Sequence, residues 1–236
     1  MNLPKIEHPL IQIEVPSLKK KYTFRPFLVK EEKLLLMAKE SENEYDIFIA
    51  LKQVVTNCSL DPSLNIDKLA IFDLEYLFIK LRAFSVDNKI NVGYRDNEDN
   101  KNYNFKVNLD EIKIIYPEKI DNNIKLTENA GLIMKYPSAS LYSDKEFLQL
   151  EEEHLFELII KCIDKIYDGE ELYEAKDFSK QQLSDFLENL SVKVFEDVHK
   201  FLSTSPKMEY VIDYENDFGN KRKIVLSSLS DFFTWR

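Results

Sequence analysis

The 236-residue sequence predicts an α+β fold with helical N-terminal and C-terminal parts, a small antiparallel β-sheet subdomain in the middle and a C-terminal β-hairpin. Two observations lead there. Apolar residues recur at helical spacing through residues 29–87 and again through 138–205, whereas in 88–137 and after 206 they alternate with polar ones, the period of a half-buried strand. The expected organisation is a hairpin over 1–28, a helical part over 29–87, a β subdomain over 88–137, a second helical part over 138–205, and a hairpin with an aromatic tail over 206–236, all in one compact unit.

Ile11, Ile13 and Val15 alternate with Gln12 and Glu14, Pro16-Ser17 turns the chain, and Tyr22 to Phe27 returns as a second strand. Pro26 lacks a ladder donor and suits a strand end. Val29, Leu34 to Ala38, then Ile47, Phe48, Leu51, Val54 and Val55 predict two adjacent helices sharing one buried face. Ser41-Glu42-Asn43-Glu44 has the spacing of a capping box, and Asp73 that of a cap for a third helix whose Leu74, Leu77, Phe78, Leu81 and Phe84 line one face. Ile90, Val92 and Tyr94 are expected opposite Tyr103, Phe105 and Val107, across the polar turn Asp96 to Asn100.

Ile112, Ile114 and Tyr116, then Ile124 and Leu126, then Leu132 to Tyr136 continue the alternation. Helices are expected to resume after Ser143-Asp144-Lys145-Glu146, with Leu155, Phe156, Ile159, Cys162, Ile163 and Ile166 on one stripe that stops at the acidic loop Asp168 to Glu171. Ser179-Lys180-Gln181-Gln182 opens the next helix and Ser191 the one after it, up to Pro206. Tyr210, Ile212 and Tyr214, a turn at Phe218-Gly219-Asn220, and Ile224 to Leu226 form the last hairpin. Leu229, Phe232, Phe233 and Trp235 make the terminus unusually aromatic, fitting either the chain's own core or a neighbouring subunit.

Composition narrows the function. Only four glycines occur, and no Gly-rich loop opens a helix, so phosphate-cradling loops are not expected. A formal net charge of −10, from 42 acids against 32 bases, repels polyanions, so no nucleic-acid partner is expected. Lys19-Lys20-Lys21 and Lys221-Arg222-Lys223 are short clusters suited to strand ends. The N-terminal residues hold no long apolar run, which predicts neither a signal peptide nor a membrane span. Cys58 and Cys162 lie far apart at apolar helical positions and are read as reduced and buried.

Chemistry-bearing patterns are sparse. His8, His154, His199 and the two cysteines are too scattered for a zinc site, and the acidic turn at Asp96 to Asn100 lacks the Gly and the closing Glu of a calcium loop. No cofactor or metal ligand is therefore assigned. Glu151-Glu152-Glu153 with Asp168, Glu170, Glu171, Glu174 and Asp177 are paired carboxylates that a metal-assisted hydrolase would use, although acids at a helix start also follow from the macrodipole. No catalytic elbow or metalloprotease motif is present.

Four blocks, in order, carry a resemblance: Phe24-Arg25-Pro26-Phe27-Leu28-Val29-Lys30-Glu31-Glu32-Lys33; Asp73-Leu74-Glu75-Tyr76-Leu77-Phe78 with Lys80-Leu81-Arg82; Gly131 to Ser138; and Cys162 to Glu171. Together they resemble the base plate proteins of T4-like phages, the baseplate hub subunit family. The resemblance implies a non-enzymatic virion component that binds other phage baseplate hub and tail proteins, in the host cytoplasm during assembly and in the tail if retained; self-association is open, and so is a role as an assembly chaperone that leaves the finished hub. Aromatic anchors dominate interfaces, which selects Phe24, Arg25, Phe27, Phe232, Phe233 and Trp235 as interface candidates. Some relatives carry cysteine pairs in the hairpins where this chain has Asp96 to Asn100 and Asp217 to Asn220. A member without that metal is then implied, its hairpins held by strand pairing alone.

Overall fold

A computed structural model describes residues 6–117, 121–148 and 154–232. The chain divides into two compact units, Met1–Ile115 with Lys207–Arg236, and Tyr116–Pro206. In the first, strands β1 (Ile11–Val15) and β2 (Lys20–Phe24) form a hairpin in which Ile13 faces Tyr22 and Ile11 faces Phe24. Helices α1 (Val29–Glu40), α2 (Glu44–Cys58) and α3 (Ile71–Ser85) follow. A second hairpin pairs β3 (Lys89–Arg95) with β4 (Asn102–Asn108), setting Ile90 opposite Val107, Val92 opposite Phe105 and Tyr94 opposite Tyr103. β5 (Lys113–Ile115) then leads into the second unit.

The second unit holds a four-stranded antiparallel sheet in chain order, β6 (Asn123–Lys125), β7 (Ala130–Met134), β8 (Ile163–Asp168) and β9 (Glu171–Glu174). Between β7 and β8 lie α4 (Lys145–Leu148) and α5 (His154–Cys162), and α6 (Lys180–Glu188) and α7 (Val192–Ser203) follow β9. Ile159, Cys162, Leu183, Leu187, Val198 and Phe201 from these helices pack with Leu132 and Met134 of the sheet into one core. The chain returns to the first unit as β10 (Lys207–Glu215), β11 (Lys221–Leu226) and α8 (Leu229–Phe232). β10 pairs with both β11 and β5, so segments about a hundred residues apart share one sheet over a core that includes Ile79, Val107, Met208 and Phe232.

This mixed α+β architecture overturns the layout of helical ends around one small sheet. Eleven strands in four sheets are spread through the described residues, and strands occur in every region expected to be purely helical except 29–87. The sharpest change is at 163–174. The stripe Leu155 to Ile166 was expected to run on as one helix, but α5 stops at Cys162 and the chain turns directly into β8. Ile163, Ile166 and Tyr167 are β-branched or aromatic and fit a pleated surface, and the exposed ladder of β7 offers Leu132 opposite Ile166. The acidic loop is only the tip of the β8–β9 hairpin, where Gly169 has a positive φ of 60°. The C-terminal hairpin takes β5 as a third strand, a pairing the sequence did not predict.

Caps differ as well. Asn43, not Ser41, caps α2 by accepting from the Tyr45 amide at 2.9 Å. α3 starts at Ile71, so Asp73 lies inside its first turn and accepts instead from the amide and hydroxyl of Ser17, at 2.8 and 2.5 Å. Ser143 turns back to the Ala139 carbonyl. Ser179 and Gln182 do form a reciprocal box at the start of α6.

Candidate functional site

Two hairpin tips that lie more than a hundred residues apart in sequence meet in the first unit. The β3–β4 tip supplies Asp96, Glu98, Asp99 and Lys101, with Tyr103 just beyond; the β10–β11 tip supplies Tyr214, Asn216, Asp217, Asn220 and Arg222. Asp96 folds its own turn, accepting the Glu98 amide at 2.7 Å, and Asn100 completes that turn in the left-handed region, at a φ of 61°. Asn216 does the same across the way, accepting the amides of Phe218 and Asn220 at 3.2 and 3.0 Å, while Gly219 takes a φ of 79°. Each tip is therefore a rigid Asx-type turn before it touches the other.

The contact is a polar clasp. Asn216 and Asn220 each donate from a side-chain nitrogen to Glu98, at 2.7 Å, and Arg222 reaches the same carboxylate at 3.3 Å. Tyr214 donates its hydroxyl to Asp96, which also pairs with Arg222 at 3.4 Å. The Asp217 amide donates to Asp99 at 3.1 Å and to the Tyr103 hydroxyl at 2.9 Å; Tyr103 in turn donates to Asp99, and Lys101 pairs with Asp217. Beneath this layer the Tyr214 ring packs 5.1 Å from those of Tyr103 and Phe105 and 6.2 Å from that of Tyr94. Strand pairing alone does not hold these hairpins, contrary to what the resemblance implied; three acidic side chains of one tip are matched by donors of the other.

The electrostatics follow from this pairing. The Tyr214 hydroxyl, with the Glu98 amide and Arg222, holds Asp96 below the usual carboxylate range against the pull of burial. Burial and the Asp96 carboxylate push the Tyr214 phenol up to about 12, and burial with Asp99 does the same to Tyr103. Asp96 and Asp99 are both held low while the two phenols are pushed up, so in each tyrosine–aspartate bond the proton stays on the phenol. Such a site has no poised acid or base; it holds geometry. What it presents outward is Phe218, 66% exposed on the tip of a braced turn.

The family model described as T4 bacteriophage base plate protein matches residues 8–234, nearly the whole chain. The chain belongs to that family. No curated protein and no solved structure matches it. As a member of that family it is a structural base plate component of a phage tail.

The interface candidates chosen from sequence fall in different surroundings in this base plate protein. Phe24 and Phe232 are fully enclosed in the first unit. Phe27 is half-buried with its ring centroid 5.5 Å from that of Phe78. Arg25 is engaged by Glu31 and donates to the Pro26 carbonyl at 2.9 Å. Phe233 and Trp235 lie outside the described residues. Sequence reasoning missed Phe218, which it treated only as part of a turn; an aromatic residue directly before the turn glycine was the available signal.

Of the carboxylates proposed for hydrolysis, Asp168, Glu170 and Glu171 share the tip of the β8–β9 hairpin, and Glu174 and Asp177 lie beyond it. Glu151 to Glu153 lie outside the described residues, Tyr173 donates to Glu171, and Glu174 pairs with Lys165 at 3.1 Å. Among the described residues no group of three or more His, Cys, Asp or Glu is placed to hold a metal, and no helix is long and apolar enough to cross a membrane. Cys58 and Cys162 are buried free thiols, which burial pushes up to about 11 and about 12 respectively, so both are protonated and inert as nucleophiles at neutral pH.

Proposed function

We propose that this base plate protein is a non-enzymatic hub component that binds other hub and tail proteins while the base plate is built. The observation that carries the reading is the match to the base plate family across residues 8–234. The clasp supports it: a rigid, charge-matched brace that projects an exposed aromatic side chain suits docking more than turnover. Phe218 is the proposed anchor on the described surface, and Phe233 and Trp235 remain proposed contacts at the C-terminus. Residence is first in the host cytoplasm and then in the virion.

Mass spectrometry of purified virions alongside assembly intermediates from an infection tests this. Stoichiometric peptides in the virion are expected. Peptides in intermediates alone would make the protein an assembly chaperone that leaves, and absence from both would overturn the hub reading.

A further inference from the structure

Helix α1 is apolar on two opposite faces. Glu31, Leu35 and Ala38 point into the first unit and are buried. On the other side, Val29, Lys33, Leu36, Met37 and Glu40 follow one another at spacings of four, three, one and three, which places them within about 100° of helical arc. All five are exposed, Val29 at 87%, Leu36 at 46% and Met37 at 59%. A free-standing surface helix is expected to carry polar residues there. Lys33 and Glu40 form no ion pair among the described residues, and at two turns apart, about 10 Å along the axis, they are too distant to pair with each other.

The order of these residues is nearly palindromic in chemistry. Leu36 and Met37 lie at the centre, with Lys33 three residues before Leu36 and Glu40 three residues after Met37. Turning the helix end for end about that centre places Lys33 where Glu40 was and Glu40 where Lys33 was. Opposite charges therefore meet when two such helices lie antiparallel, and they meet twice. In a parallel pairing in register each charge would face its own like. An isologous two-fold contact requires this kind of self-complementarity.

We propose that the outer face of α1 is a self-association surface, on which a second copy of this chain docks its own α1 antiparallel about a two-fold axis between Leu36 and Met37. Leu36 and Met37 of each copy are covered at the axis, and two Lys33–Glu40 pairs close the ends and fix the register. The contact is a single short helix pair, so its affinity is modest, and the fraction of copies paired rises when assembly concentrates them. The inference does not depend on the hub reading, because it concerns the purified chain alone.

Sedimentation equilibrium of the full chain with two charge reversals tests it. The parent is expected to dimerise at concentrations up to about 100 µM. Lys33→Glu sets acid against acid at both ends and Glu40→Lys sets base against base, so each variant alone is expected to weaken the dimer about tenfold or more. An equimolar mixture of the two restores both opposite-charge pairs, and heterodimer is expected to return at parental strength. Both substitutions lie on an exposed face, and circular dichroism checks that each variant is folded. A parent that stays monomeric over that range overturns the proposal, as does a dimer that ignores both reversals. A dimer that each reversal breaks but the mixture fails to restore rules out the antiparallel register and overturns it equally.

Discussion

Arg25 reaches Glu31 with two nitrogens, at 2.9 and 3.1 Å, and the Glu31 side chain is completely enclosed. The same carboxylate accepts the Leu28 amide at 2.9 Å, which satisfies an orphan donor at the start of α1. Six residues apart in the sequence, the pair locks the exit of β2 onto the first turn of α1, while the Arg25 amide donates to the Cys58 carbonyl at the end of α2. This explains a block whose resemblance was recognisable before its role was: Phe24 fills the core, Arg25 and Glu31 clamp the junction, and Pro26 carries the chain between them.

Breaking one partner of a buried pair leaves the other charge uncompensated, which costs about 3–5 kcal/mol. Glu31→Ala is expected to destabilise the first unit on that scale in urea unfolding, and Arg25→Lys to recover only part, because an ammonium cannot reproduce the two-pronged fork. Burial alone would raise the Glu31 pKa, yet Arg25 and the Leu28 amide hold it below the ordinary value. The sign follows: the folded state binds the proton less readily than the unfolded chain, so this stabilisation is full above the ordinary carboxylate pKa and is lost as pH falls through and below it. Parent and Glu31→Gln should accordingly differ less in melting temperature at acid pH than at pH 7.

The clasp makes a separate prediction about local order. Asp96→Asn removes the charge facing Arg222 and weakens the acceptor for the Tyr214 hydroxyl. Amide hydrogen exchange is expected to speed up at both tips together, around 96–101 and 214–222, with α1 and α3 unaffected. Faster exchange at the mutated tip alone would show that the two hairpins are ordered independently.

How far the sequence reaches is visible in these same elements. Hairpin registers were legible because period-two alternation fixes which side chains share a face, and Ile90, Val92 and Tyr94 meet the expected partners. The clasp was not legible: Asp96 to Asn100 and Asp217 to Asn220 both look like solvated turns, and nothing local says that β10 crosses back to pair with β5. Residues 163–168 failed for a different reason: Ile163 and Ile166 are three apart, which extends the helical spacing of the preceding stripe, whereas a strand alternates with period two, and the β7–β8 pairing shifts register between Ile133 and Met134. Arbitration came from β7, which needs a partner for its outer ladder. The outer face of α1 was hidden by its apolar content, because a helix with hydrophobic residues on both sides reads as deeply buried.

Gly131 tests why a glycine stands near the start of β7. It lies directly opposite Tyr167 on β8, whose ring folds over it; a Cβ built at Gly131 would come within 2.3 Å of the Tyr167 hydroxyl oxygen and 2.7 Å of the ring edge. The hydroxyl donates to Asn123 on β6 at 2.9 Å, so the ring ties three strands together. Gly131→Ala is expected to displace the ring and cost about 1–3 kcal/mol, outweighing the few tenths gained from a less flexible unfolded chain. In a Tyr167→Leu background the same substitution should cost much less, and a double-mutant cycle by thermal unfolding measures the difference.

Glu75 makes the pH dependence of the first unit run the other way near neutrality. It sits on α3, half-buried, and no hydrogen bond or ion pair reaches it among the described residues; burial pushes its pKa up to about 7. The folded state then holds a proton that the unfolded chain has already released, so stability falls as pH rises from the ordinary glutamate value to about 7, by a total on the order of 3 kcal/mol. Glu31 acts below this window and Glu75 within it, which predicts greatest stability on the mildly acidic side of neutral. Glu75→Gln keeps the shape and removes the ionisation. It is expected to raise the melting temperature at pH 8, leave it nearly unchanged at pH 5, and flatten the slope between them. An unchanged slope in the variant would mean that Glu75 is solvated and ionised throughout, and that the decline belongs to other groups.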